Sequence, residues 1–189
     1  MIIVGVDPGY AFMGVGVIEL QPSSTRVLHH STFATLAKDE DATRLDAIAE
    51  HLLDLLEHYE VDALGYENQA IVEAGKHRIR RQLQEAGGAD ADSNFSSSRV
   101  HEVAGIIRCA ARCFDVPCYC LAPSSVKVAV LGKGGGRAKK GAVKARVRAI
   151  FGVERLSEHA ADALAIALGT SVRHRRQLAT LQAHVSLIH

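Results

Sequence analysis

No run of apolar residues in this 189-residue sequence approaches the length of a membrane span, so no transmembrane helix is expected. The N-terminus lacks both a charged opening segment and a long apolar core, which argues against a secretory signal. A strand-like run begins at residue 2, and the expectation is a cytosolic start, a cytoplasmic protein and no membrane partner. Cysteine is sparse, at positions 109, 113, 118 and 120, and no two form a C-x-x-C pair. A structural zinc site is therefore weakly supported, and small buried thiols in a reducing compartment are expected. Internal repeats and domain linkers are absent too. Residues 1–170 read as one domain, with a flexible insert at about 71–98, and 171–189 as a peripheral basic tail.

Acidic residues are missing from Val116 to Val153, a span that holds Lys127, Lys133, Arg137, Lys139, Lys140, Lys144, Arg146 and Arg148. That segment carries +8, so a formal net charge of +1 leaves −7 for the rest. A basic pole this dense suggests a polyanion partner. Within it, Gly132-Lys133-Gly134-Gly135-Gly136 lacks the order of a P-loop. It reads as a mobile loop that contacts phosphate.

What is present begins with Met1 to Ile18, MIIVGVDPGYAFMGVGVI. Ile2 to Val6 read as a strand buried on both faces, Asp7 ends it, and Pro8-Gly9 turn the chain into a second strand from Met13. A carboxylate at the mouth of a central strand needs a counter-charge, which a metal ion, a basic side chain or solvent could supply. Thr25 to Phe33 reads as a third strand. Asp39 to Tyr59 reads as a helix with Leu45, Ile48, Leu52, Leu55 and Leu56 inward. Val61 to Glu67 is the next strand, and Glu67 lies at its C-terminal end, where sites collect in open α/β sheets. Ala70 to Gln84 is read as helical and Ala86 to Ser98 as a loop. Arg99 to Phe114 is a helix whose inward face runs from Val100 to Phe114. Pro117 to Leu121 is a short strand, and Pro123 starts a helix through Leu131. Lys139 to Phe151 is a basic helix. Glu158 to Thr170 is the last core helix, kept thin by alanines so that it can lie close against a sheet.

Four residues carry the chemistry: Asp7 and Glu67 from strand ends, and His159 and Asp162, three apart on one helix face. Carboxylates suit Mg²⁺, and an imidazole among them makes Mn²⁺ comfortable as well. Two such ions about 4 Å apart can promote phosphodiester cleavage. An acidic site beside a basic segment makes sense for DNA, with Lys127, Lys133, Arg137, Lys139, Lys140 and Lys144 holding the strand.

The stretches IIVGVDPGYAFMGVGVI, LGYENQ, LAPSSVKVAVLGKG, AKKGAVKARV and HAADALAIALG, in that order, resemble the RuvC family of Holliday junction resolvases, of the ribonuclease H-like superfamily. The resemblance implies an α/β fold with a mixed five-stranded sheet flanked by helices, acting as a homodimer through the helix at 99–114. It implies Mg²⁺- or Mn²⁺-dependent, paired symmetric nicking of four-way junctions. The family's acidic positions fall on Asp7, Glu67 and Asp162, and a position that is aspartate or histidine falls on His159. Its phosphate-contacting lysines fall on Lys127 and Lys140. A branch-migration helicase is a further partner the resemblance brings with it. Where many members carry an aromatic, three residues after the strand glutamate, this chain has Ala70, and residues 71–98 look longer than the matching segment. Both departures bear on junction specificity. A broader branched-DNA or flap nuclease of the same fold is the neighbouring reading. An actin-like nucleotide-binding module and a catalytically silent DNA-binding dimer are the rivals from other classes.

Overall fold

A computed structural model describes residues 1–67 and 93–186. Five strands form one sheet: β1 (Ile2–Asp7), β2 (Phe12–Leu20), β3 (Thr25–Ala34), β4 (Ala63–Glu67) and β5 (Cys118–Leu121). Their order is β3-β2-β1-β4-β5. The β1–β2 and β2–β3 pairs are antiparallel, while β1–β4 and β4–β5 are parallel. Among the described residues the helices are α1 (Asp41–His58), α2 (Ser93–Cys113), α3 (Pro123–Leu131), α4 (Lys140–Phe151) and α5 (Glu158–Ser186). This is the mixed, helix-flanked five-stranded sheet that the motifs imply.

The central position of β1 explains its unbroken apolar run. Successive side chains alternate between the two faces of a strand, so one strand feeds two cores. Val4 and Val6 join Val15, Val17, Leu64 and Tyr66 under α1 and α2, where Ile48, Leu52, Val103 and Ile107 are fully buried. Ile3, Ile18 and Ala63 join the other core, under α3, α4 and α5.

On that second face three glycines stand in register across adjacent strands: Gly16 opposite Gly5, and Gly5 opposite Gly65. The missing side chains leave a trough, and α5 lies in it. A Cβ at Gly5 would fall 2.1 Å from the Ala163 carbonyl oxygen, and one at Gly65 would fall 1.8 Å from Thr170 Oγ1. Small residues on the helix complete the fit, since Ala160, Ala161, Ala163, Ala165 and Ala167 are all buried. The trough also aims the helix. Asp7 is two residues from Gly5 and Glu67 two from Gly65, so both acids share the face on which α5 begins.

Several boundaries differ from the sequence reading. The loop expected through Ser98 is already helix at Ser93. The last helix does not stop at Thr170 but runs to Ser186. Ser171 and His174 are buried, with Tyr119 Oη 2.9 Å from His174 Nδ1, so the chain just past Thr170 belongs to the core. Phe114, expected inward, is 39% exposed. The cysteines are not buried thiols: Cys109, Cys113 and Cys120 are exposed and Cys118 is half-buried. Cys109 and Cys113 lie off the α2 face that carries Val103, Ile107 and Ala111, and β5 is an edge strand with open sides. No described helix is long and apolar enough to cross a membrane. Ala70, the helix read from Ala70 to Gln84 and most of the insert at 71–98 lie outside the described residues.

Candidate active site

The carboxyl ends of the three parallel strands open onto a cavity of about 530 Å³. Asp7 from β1, Glu67 from β4, and His159 and Asp162 from the first turns of α5 all line it, with Lys127 from α3 and Lys140 from α4. The four residues named from sequence therefore meet in one place.

Each is held by identifiable contacts. Asp7 is 9% exposed, and its Oδ2 lies 2.9 Å from His159 Nδ1. His159 is placed there by Gly14, the β-ladder partner of Asp7, where a Cβ would come within 2.1 Å of the His159 carbonyl oxygen. Asp162 Oδ2 accepts from Lys140 Nζ at 2.7 Å, and the same ammonium reaches Glu158 Oε1 at 3.0 Å. Lys127 Nζ donates to the Ala138 carbonyl at 2.8 Å. It thereby pins the glycine-rich segment, which forms a 3-10 turn at Gly135–Arg137 entered through Gly132 and Gly134, both at positive φ.

Crowding of acids in one cavity raises the proton affinity of Glu67 and of Asp7. Burial, then the charges of Asp7 and Asp162, push the Glu67 carboxyl up to about 7, against the opposing pull of Lys140 and Lys127. Burial also raises Asp7, outweighing the His159 hydrogen bond that would lower it. Burial alone would depress the Lys140 ammonium, but its bonds to Asp162 and Glu158 prevail and hold it above its usual range. Among the described residues no three acidic, imidazole or thiol side chains are gathered tightly enough to hold one metal ion. The donor set still suits a hard divalent cation, because three mutually repelling carboxylates and an imidazole share a cavity where such a charge would relieve them.

The sequence reading missed two neighbours of this site. Glu158 shares Lys140 with Asp162; its signal was an acid in the first turn of α5, directly before His159. Phe12 lines the cavity and stacks on His159. The sequence reading begins the second strand at Met13, whereas β2 begins at Phe12, and strand alternation places Phe12 on the face of Gly14. The remaining basic candidates, Lys133, Arg137, Lys139 and Lys144, do not line the cavity. They lie on the segment from the glycine turn to α4, and all but Lys144 are exposed.

The family model for crossover junction endodeoxyribonuclease RuvC matches residues 3–89 and 88–170. This chain belongs to the RuvC family. A RuvC from Thermosipho melanesiensis is 30% identical over 180 residues, covering 93% of this chain and 99% of that relative. A RuvC from Xanthomonas euvesicatoria is 30% identical over 172 residues, covering 88% of this chain and 84% of its own. The solved RuvC of Thermus thermophilus superposes with a TM-score of 0.74 at 27% identity, covering 94% of this chain and 97% of that one. The structure of T. thermophilus RuvC with a Holliday junction substrate gives 0.72 at 25% identity, over 93% and 96%. The ribonuclease H-like fold expected from the motifs is thus that of solved RuvC proteins, and this RuvC-family chain is an endodeoxyribonuclease by kinship.

Proposed function

We propose that this chain resolves four-way DNA junctions by paired symmetric nicks, using Mg²⁺ or Mn²⁺, with two ions per site. The observation that carries the reading is the single cavity in which Asp7, Glu67, His159 and Asp162 meet beside Lys127 and Lys140. Those four would hold the ions. When bound, divalent cations polarise the phosphodiester and make water a better nucleophile. The chain's own groups do the rest. Asp7 orients the His159 ring through Nδ1; a neutral imidazole donating there keeps a lone pair on Nε2 for a cation or a proton. Lys140 balances Asp162 and Glu158 and can also face a phosphate. Lys133, Arg137 and Lys139 extend the positive surface, and the positive end of α4, without a side-chain cap, adds to it.

A near two-fold substrate suits a two-fold dimer, for which the segment 99–114, most of α2 and the residue after it, is the proposed contact. A branch-migration helicase is the proposed further partner, and the cytoplasm the proposed site of action. The RuvC relative solved with a Holliday junction supports the choice of substrate. One gel tests it: four-way junction, flap and plain duplex, each with Mg²⁺, Mn²⁺ or EDTA. Symmetric nicks confined to the junction, and absent in EDTA, are expected. Equal cutting of flap and junction would move the reading to a general branched-DNA nuclease. Cutting in EDTA would overturn the assigned site.

A further inference from the structure

Phe12 is an exposed apolar part of the cavity lining for which metal and phosphate binding leave no task. It opens β2, lines the cavity beside Asp7 and His159, and is 54% exposed. Its ring lies over the His159 ring, with centroids 6.0 Å apart and 15° between the planes. The register that seats His159 over Gly14 therefore also sets the place of the phenyl ring.

The lining divides by chemistry and by element. Cations come from α3 and α4, carboxylates from β1, β4 and α5, and an aromatic face from β2. A nucleotide divides the same way, into an anionic phosphodiester and a base with an apolar π-face. Exposed aromatics beside a positively charged groove are the usual platform for bases of single strands, because every base can stack on them. We propose that Phe12 is a base-stacking platform, receiving the base of a nucleotide that flanks the phosphodiester held at the acids. The inference rests on the nuclease reading and adds to it a residue that grips the strand at the point of cutting.

The test uses the full-length protein and a four-way junction whose cut sites have been mapped with the wild type. A fluorescent adenine analogue is placed in turn on each side of the cut, and binding is followed in EDTA. Wild type is expected to quench the analogue at one flanking position, and Phe12→Trp to keep the quench. Phe12→Ala and Phe12→Leu should lose it, and Phe12→Ala should weaken junction binding by about 5- to 100-fold. In cutting assays Phe12→Ala should raise KM with little change in kcat, in its pH profile or in thermal stability. Unchanged quenching and affinity in Phe12→Ala, while the wild type cuts normally, would overturn the inference and leave the nuclease reading intact. A shifted pH profile with unchanged quenching would also overturn it, making Phe12 a support for His159. Failure of the wild type to bind or cut the junction would remove the nuclease reading first.

Discussion

Asp7 is legible because a carboxylate closing an apolar strand needs a counter-charge, although capping the Pro8-Gly9 turn is the plainer role the sequence allows it. Its actual partner, His159, is 152 residues away, and only the fold reveals a bond of 2.9 Å. Glu67 shows what crowding acids costs. Its pKa of about 7 lies above the ordinary value of 4.5, so between those pH values the folded metal-free protein holds a proton that the unfolded chain has lost. The stability Glu67 confers is therefore complete below about pH 4.5 and is lost as pH rises through about 7. Glu67→Gln removes that loss. In EDTA at pH 8 it should be more stable than wild type by about 1–2 kcal/mol, a figure reduced for partial solvent screening, and no different near pH 4.5. Urea melts at the two pH values check this; an equal gain at both would point to packing instead. Asp7→Asn should abolish cutting while keeping junction binding within a few-fold, measured by gel shift and nicking on one preparation. Undiminished nicking would refute the site.

Elements were easier to read than their ends. Strand and helix positions followed from apolar spacing, but the last helix reads as ending at Thr170, whereas α5 carries on to Ser186 through Gly169. Its place beneath Leu121 explains the glycine: a Cβ there would sit 3.1 Å from Leu121 Cδ1. The trough of Gly16, Gly5 and Gly65 could not be read until the register of three strands was known. Once known, it explains why α5 brings His159 and Asp162 to Asp7 and Glu67. Gly5→Ala should destabilise by about 3 kcal/mol, at the upper end for overpacking, because backbone rather than a flexible side chain blocks the added methyl. It should also lower cutting by displacing His159 and Asp162 from the cavity. Gly105→Ala, with nothing within 4 Å and lying inside α2, should gain about 0.5–1 kcal/mol. Chemical denaturation of both variants checks the pair, and a neutral Gly5→Ala would dismiss the trough. Where β3 meets α1, burial lowers the proton affinity of His29 and His51, histidine neighbours lower each further, and among the described residues His51 Nε2 is buried without a hydrogen-bond partner. Depressed histidines give stability that is whole above about pH 6.5 and falls as the unfolded chain takes up protons below it. His51→Leu should therefore lose less stability than wild type between pH 7.5 and 5, as thermal melts would show.

At the scale of the whole molecule, the uneven charge was visible in the sequence, but not where it would face. Parallel pairing of β1, β4 and β5 puts their carboxyl ends together, and the chain leaving β5 there carries the acid-free basic segment around the cavity. Arg26, paired with Glu19 at 3.0 Å, lies instead at the opposite end of the sheet, where β2 nears its end. Two arginine or lysine changes of equal charge should then differ in effect. If phosphates run along the segment between the glycine turn and α4, Lys139→Ala removes a contact together with the counterion it releases. The slope of log affinity against log salt should flatten by about one unit, alike for every junction sequence. Arg26→Ala changes net charge by the same amount and should leave the slope unaltered. Filter binding of both variants across a salt series separates the two causes. Equal flattening would mean that net charge alone draws DNA to this protein, and no flattening in Lys139→Ala would place the DNA path elsewhere than over the N-terminus of α4.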